Sequence, residues 1–410
     1  MLQPMTGVRV LEVAQFTFVP SAGAVLADWG ADVIKVEHAE RGDGQRGLTQ
    51  VLGLDAIVEG SRFSPIVEAP NRGKRSVGLA LEKPEALEIL HELIRQSDVF
   101  LTNFLPDARA KLGIELEDVR KVNPDIIYVR GSGFGQRGPE AGKGGYDATA
   151  FWARGGSGAG STPADADRLV AMPAGGYGDN LGGMTIAGGV AAALFARATT
   201  GETSVIDVSL LGVGAWATQF TANLALMAGG PPPRPPVPRH GSARNPLVGS
   251  YRTSDDRWFI FSMLQPGRYW AEFCEIAGRP ELVADERFDT VEKLMAGAPQ
   301  AAEIIAEIVR GKTYDEWLAL FEGMEGQWAT VQDPWGVAND VSLRANGMIR
   351  SVRDVDGVER ELISNPVQFD ETPVELRRGP QFAEHTDDII RGLGRTEEEL
   401  IQLKIAGAIT

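Results

Sequence analysis

Two textures of hydrophobic residues alternate through the first 130 positions. Residues 8–13, 31–37, 98–101 and 126–129 are short runs rich in β-branched residues, the pattern of buried strands. Between them lie stretches with helical spacing. Residues 20–29 open with Pro20 in the first turn and stop at Gly30. Residues 85–96 put Leu87, Leu90 and Ile94 on one face, and residues 116–122 end before Pro124. Strand, helix and strand repeated in this way predict a parallel sheet covered by helices, an α/β fold.

The texture then changes. Residues 131–185 are rich in glycine and poor in strand signals, as expected of loops around a site. A helix of small residues follows at 183–197, including Gly188, Gly189 and Ala191, whose surface lets another backbone approach closely. Residues 205–210 read as a strand and 213–227 as a helix. At 229–242 the sequence becomes GGPPPRPPVPRHGS, an extended linker. Beyond it, a strand is expected at 258–262, an amphipathic helix at 268–278, and a capping box at Thr313–Glu316 ahead of Trp317, Leu320 and Phe321. A strand pair around 349–358 and a helix at 397–406 close the chain.

Composition narrows the function. A net charge of −16 over 410 residues disfavours nucleic acid and anionic membrane as partners. One cysteine, Cys274, allows no intrachain disulfide and suits a reducing cytoplasm. The start, MLQPMTGVRVLEV, does not read as a signal peptide, and the small-apolar stretch at 186–196 is too short to span a bilayer.

Several chemistries fail on their residues. Glu37 ends the second strand, where a ribose-binding acid would stand. The loop after the first strand, from Ala14 to Pro20, has no glycine to let the backbone approach a pyrophosphate, so Glu37 reads as a surface carboxylate. There is no Gly-x-Ser-x-Gly elbow, and the four histidines share no metal-ligand spacing. What remains is Asp179, set in Gly175-Gly176-Tyr177-Gly178-Asp179-Asn180-Leu181-Gly182-Gly183. Two readings stand side by side. Asp179 can cap the helix that follows. It can also attack a thioester, with glycines giving a bulky substrate room and backbone N–H groups holding the oxyanion. Basic residues that could meet a phosphorylated ligand are Arg46, Arg72, Lys74, Arg75, Arg109, Lys111, Arg137 and Lys143. Asn103-Phe104 offers an amide and an aromatic face for a nucleobase.

These motifs, in order, resemble those of the family III CoA-transferases. The likeness runs from Gly7–Glu12 and LADWGADVIKVE (26–37) through Gly42-Asp43, Arg46, Asn71, Lys74–Val77 and Asn103-Phe104. It continues at Gly131–Gln136, Gly145-Tyr146-Asp147, Gly178-Asp179, Val208–Leu210, Tyr251–Thr253 and Glu384-His385-Thr386. The resemblance implies a large Rossmann-like domain formed by both chain ends, with a small α+β domain inserted. The expected division is 1–228, a linker at 229–244, the small domain at 245–325, a second linker at 326–345, and a return to the large domain at 346–410. It also implies an open-ring subunit in an interlocked homodimer.

The resemblance makes Asp179 the residue that is acylated. It attacks the donor thioester, the released thiolate returns to form an aspartyl-CoA thioester, and the acceptor carboxylate takes the CoA. Positions matching the CoA pocket are Phe16, Thr17, His38, Lys74, Arg75, Asn103, Phe104, Lys111, Ser132 and Tyr146. Coenzyme A enters as acyl-CoA substrate, and no metal is implied. Thr17 stands where formyl-CoA transferase has glutamine, so oxalate chemistry is not supported. The racemase branch of the family places histidine at the position of Tyr146. A phenol titrating near ~10 is a poor partner for taking an α-proton, which favours the transferase. A CoA-binding scaffold without catalysis is the reading from another class, and the glycine-set Asp179 argues against it.

Overall fold

Six strands form one parallel sheet, the five expected and a sixth at Arg75–Gly78: β1 (Arg9–Val13), β2 (Asp32–Glu37), β3 (Arg75–Gly78), β4 (Val99–Thr102), β5 (Ile127–Ser132) and β6 (Val205–Ser209). Their spatial order is β3-β2-β1-β4-β5-β6, the doubly wound order in which the chain reverses direction beside β1. Leu11 pairs in register with Ile34 on one side and Phe100 on the other. The computed structural model describes residues 2–57, 59–231, 240–242 and 244–410. Residues 232–239 and 243 of the expected proline-rich linker lie outside the described residues.

Alternation along each strand feeds two cores, one on each face of the sheet. Val10, Val33, Leu101 and Val129 pack with α1 (Phe18–Asp28), while Leu11, Val36, Phe100 and Tyr128 meet α2 (Pro84–Arg95) and α3 (Leu116–Val122) on the other face. The first core also takes in Ile186, Ala187 and Val190 of α4 (Tyr177–Thr200). The end of the chain covers the β3 edge. The Gly78 N–H donates to Thr386 Oγ1 at 3.0 Å, and the His385 N–H reaches the Ser76 carbonyl at 2.9 Å. An edge strand covered in this way is a poorer template for a foreign strand.

Two helices depart from the sequence expectation. The small-residue helix begins at Tyr177 rather than 183 and runs 24 residues, long and apolar enough to cross a membrane. At three of its glycines, Gly178, Gly182 and Gly183, neighbours leave no room for a side chain. A Cβ at Gly182 would lie 2.3 Å from the Phe18 ring, and one at Gly183 would lie 2.5 Å from Ser21 Cβ. The helix expected at 213–227 is two, Leu210–Ala217 and Gln219–Ala228. Between them, the Thr218 hydroxyl donates to the carbonyls of Gly155 and Gly214.

This first compact unit comprises residues up to Thr162, Arg168–Met227 and Val341–Thr410. The second comprises Pro163–Asp167 and Ala228–Asp340. Its antiparallel sheet centres on Trp258–Ser262, flanked by Val248–Arg252 and by Trp328–Thr330. Phe259 and Phe261 meet Phe321 at 5.3 and 5.6 Å, and the Thr313–Glu316 capping box starts the helix that carries Trp317.

Candidate active site

The carboxyl ends of β1 and β4 separate where the sheet reverses, and the gap between them is bridged by one side chain. Asn103 Oδ1 accepts the Gln15 N–H at 3.0 Å, and its amide donates to the Gln15 carbonyl at 2.6 Å. Asn103 thus closes the sheet as a stretch of backbone would, a second role beside the ligand contact expected for it.

Beneath this bridge lies a buried ionic network. Glu12 on β1 is in register with Lys35 on β2, and their side chains are wholly buried at 3.2 Å. Lys35 also reaches Asp43 Oδ2 at 2.8 Å. Asp43 Oδ1 accepts the N–H groups of Phe16 and Gln45. Burial alone would raise the Asp43 carboxyl. Lys35 and the two N–H groups outweigh it and hold Asp43 below the usual carboxylate range. Phe16 sits at a φ of 63°, a strained conformation for a bulky residue that its surroundings must hold. The Asp43 bond and the close approach of Gly44 to its ring do so. The Thr17 hydroxyl pairs with Gln45 Oε1 at 3.0 Å.

Two clefts open on this edge and share Gln15, Phe104 and Ala108. The larger, about 620 Å³, lies toward β2 and is lined by His38, Arg41, Glu82 and Lys111. His38 Nδ1 accepts the N–H groups of Glu40 and Arg41, which leaves Nε2 facing Glu82 at 3.2 Å. The smaller, about 360 Å³, lies toward β5 and is lined by Phe16, Asn103, Ser132, Tyr146 and Asp179.

Asp179 is in the first turn of α4, two residues inside Tyr177, so it is not the cap that one sequence reading allowed. The glycines beside it are packing positions more than sources of chain freedom: a Cβ at Gly178 would lie 2.5 Å from the Phe151 ring. Burial pushes the Asp179 carboxyl up to about 7, and the charge of Asp147 adds to the rise. The positive end of α4 works the other way. Asp147 itself is 8% exposed and starts a π-helical segment, Asp147–Arg154. Its Oδ1 accepts the Ala148 N–H, while Oδ2 is without a hydrogen-bond partner. Burial raises Asp147 too, against the pull of N–H groups nearby at Ala148, Gly176 and Tyr177.

The chain matches the family described as CoA-transferase family III over residues 5–386. It belongs to that family. It is 31% identical to cinnamoyl-CoA:phenyllactate CoA-transferase of Clostridium sporogenes, over 97% of this chain and 95% of that one. It is 29% identical to (R)-2-hydroxy-4-methylpentanoate CoA-transferase of Clostridioides difficile, over 98% of each. Succinate–glutarate CoA-transferase of Agrobacterium fabrum is 30% identical over 96% of each chain. The crystal structure of a CAIB/BAIF family protein from Brucella suis superposes with a TM-score of 0.82 at 26% identity, covering 96% of this chain and 100% of that one. The chain is accordingly an enzyme of the CoA-transferase type, whose substrates are CoA thioesters.

Within this family III CoA-transferase, the residues proposed from sequence divide into four groups. His38 and Lys111 line the larger cleft, Phe104 lines both, and Phe16, Asn103, Ser132, Tyr146 and Asp179 share the smaller. Thr17 lines neither, and its methyl group would stand 3.3 Å from a Cβ at Gly176. Lys74 and Arg75 are a correction. Lys74 precedes β3 and Arg75 opens it, so both stand at the amino end of that strand and line neither cleft. Lys74 is wholly buried, its ammonium 2.7 Å from Glu12, and burial pushes it down to about 7 despite that partner. Arg75 grips Asp32 through two nitrogens.

Three more of the basic residues are occupied. Arg46 pairs with Glu37, Arg72 with Asp28, and Arg109 with Glu115. Glu37 is buried rather than superficial, because it also accepts from Ser76 and the Asp43 N–H. The reading missed Glu12, Lys35 and Asp43 as a framework. Their signal was charge inside apolar strands, Val10-Leu11-Glu12-Val13 and Val33-Ile34-Lys35-Val36.

Proposed function

We propose that this enzyme passes coenzyme A from an acyl-CoA donor to a carboxylate acceptor, with Asp179 as nucleophile. The observation that carries the reading is the buried Asp179 carboxylate, its pKa raised, lining one cleft next to a second whose lining includes His38, Arg41 and Lys111 along with Glu37, Asp43 and Glu82. Desolvation makes the ionised Asp179 a stronger nucleophile than an aspartate in water.

The Asp179 carboxylate attacks the donor carbonyl and the C–S bond breaks, giving a mixed anhydride and CoA thiolate. The thiolate attacks the aspartyl carbonyl of that anhydride, releasing the donor acid and leaving an aspartyl-CoA thioester. The acceptor carboxylate attacks this thioester, giving a second anhydride and thiolate. The thiolate then attacks the acceptor carbonyl, forming acceptor-CoA and restoring the Asp179 carboxylate. Every thioester broken is remade, so no outside energy is needed. His38, Arg41 and Lys111 would take the phosphates, and Phe104 the adenine or the pantetheine arm.

Tyr146 supports transfer over racemisation, because no histidine stands with Asp179 among the described residues that line the smaller cleft. A homodimer is supported by the helix Gln219–Ala228, which buries no residue and leaves Phe220, Leu226 and Met227 each about four-fifths exposed. We place the enzyme in the cytoplasm, in keeping with its lone, buried, unpaired Cys274. The test is intact-protein mass spectrometry after mixing with acyl-CoAs, then hydroxylamine trapping. A mark on Asp179 that Asp179→Ala abolishes supports the transferase. Deuterium uptake at the α-carbon without a mark supports the racemase.

A further inference from the structure

Resting on the transferase reading, we infer that the acids exchanged at Asp179 are apolar monocarboxylates, and that the smaller cleft rejects dicarboxylates. The cleft walls carry Phe16, Phe18, Leu105, Tyr146 and Leu210 around the nucleophile. Among the described residues, the one cation lining it is Arg109. That guanidinium is already engaged: Nη1 donates to the Phe104 carbonyl at 2.7 Å and Nε to Glu115 at 3.1 Å, and the residue is 4% exposed. Other cations nearby are also engaged in ion pairs. Arg130 pairs with Asp207, and Lys143 and Arg154 share Glu140. Arg137 and Arg168 are exposed and do not line the cleft.

The field at the reacting centre has the opposite sign. Asp147 is a second buried carboxylate, with one oxygen unpaired, close enough to Asp179 to act on its charge. An acyl group ending in a carboxylate would set a further negative charge beside these two carboxyl groups, with no free cation among the described residues that line the cleft. Burying an unpaired charge is far more unfavourable than burying a few methylenes. Phosphate charge has its own place, since His38, Arg41 and Lys111 line the other cleft. The two clefts therefore sort one substrate by charge, anionic end toward β2 and apolar end toward β5.

The experiment compares labelling rates of Asp179 in single turnovers of the full-length enzyme. The donors are 4-methylpentanoyl-CoA, 3-phenylpropanoyl-CoA, succinyl-CoA and the methyl ester of succinyl-CoA, each trapped with hydroxylamine. The ester keeps the length of succinyl-CoA and removes its charge. We expect the two apolar donors and the ester to label more than ~10-fold faster than succinyl-CoA, the least that an uncompensated buried charge should impose. Succinyl-CoA within ~10-fold of its ester would overturn the inference and leave the transferase reading standing. Labelling by none of the four would sink the transferase reading and the inference with it.

Discussion

Asp43 holds Phe16 from below: one carboxylate oxygen accepts the Phe16 N–H at 3.0 Å and the other pairs with the buried Lys35 at 2.8 Å. One residue thus ties the strained loop over the cleft to the ionic core of the sheet. Asp43→Asn keeps the shape and removes the charge, leaving Lys35 with Glu12, which Lys74 also claims. We expect a loss of about 3 kcal/mol at pH 7, by urea unfolding, with a raised KM for acyl-CoA. Because the folded Asp43 pKa is depressed, its contribution is present above the unfolded value of about 3.9 and vanishes as pH falls through the folded one. The gap between wild type and variant should therefore close in acid. An equal gap at pH 3 and pH 7 would contradict this account.

Asp179 reverses that sign. Its folded pKa is raised to about 7, so its stabilising effect is complete below about 3.9 and is lost as pH rises through 7. Asp179→Asn should be inactive yet melt higher than wild type at pH 8, with the gain shrinking toward pH 4. Differential scanning calorimetry at both pH values checks it. A nucleophile that weakens the fold at its working pH is a known pattern of active sites.

The rate of Asp179 labelling should follow the same ionisation, falling below pH 7. Asp147→Asn removes the second cause of the raised pKa and leaves the first, burial. The acidic limb should then move to lower pH without reaching that of an ordinary aspartate. A profile that stays in place would mean that Asp147 matters only for packing. Stopped-flow labelling between pH 5 and 9 separates these outcomes.

Glycines on α4 should respond unequally to alanine. At Gly178 and Gly182 the new Cβ would overlap aromatic rings of Phe151 and Phe18, while at Gly188 it meets nothing within 4 Å. Gly182→Ala should destabilise by about 1–3 kcal/mol and slow labelling, because Phe18 lines the smaller cleft. Gly188→Ala should be neutral or stabilise by up to about 1 kcal/mol through helix propensity. Urea midpoints read both.

The proposed interlocked dimer makes a kinetic prediction. Light scattering should give twice 44.0 kDa. Tagged and untagged dimers mixed under native conditions should not exchange subunits until the chains are unfolded together. Rapid exchange would replace the linked rings with an ordinary interface over the Phe220 helix.

The sheet was legible because its signal is local: β1, β2, β4 and β5 are apolar enough to be read one strand at a time. Asp179 stood out through its glycines, although their cause was misread. Only the fold shows that Phe151 and Phe18 fill the space beside Gly178 and Gly182. Basic residues were the least legible. Lys74 and Lys111 look alike in sequence, but one meets Glu12 in the core and the other faces solvent in a cleft. Partner choice across 62 positions, as between Lys74 and Glu12, leaves no local trace.

The Gln15–Asn103 bridge stands where the two clefts meet, and this gives the family room to drift. The loop after β2 bears His38 and Arg41 of the larger cleft, and the loop after β5 with the start of α4 bears the acyl end, while the segment after β4 serves both, with Lys111 in the larger cleft and Phe104 in each. Replacements on one set need not disturb the other. Relatives of similar identity can then carry names as different as phenyllactate and succinate–glutarate CoA-transferase. New substrates in such a scaffold arise by rewriting one bank of a divided channel while the handle they all share is left untouched.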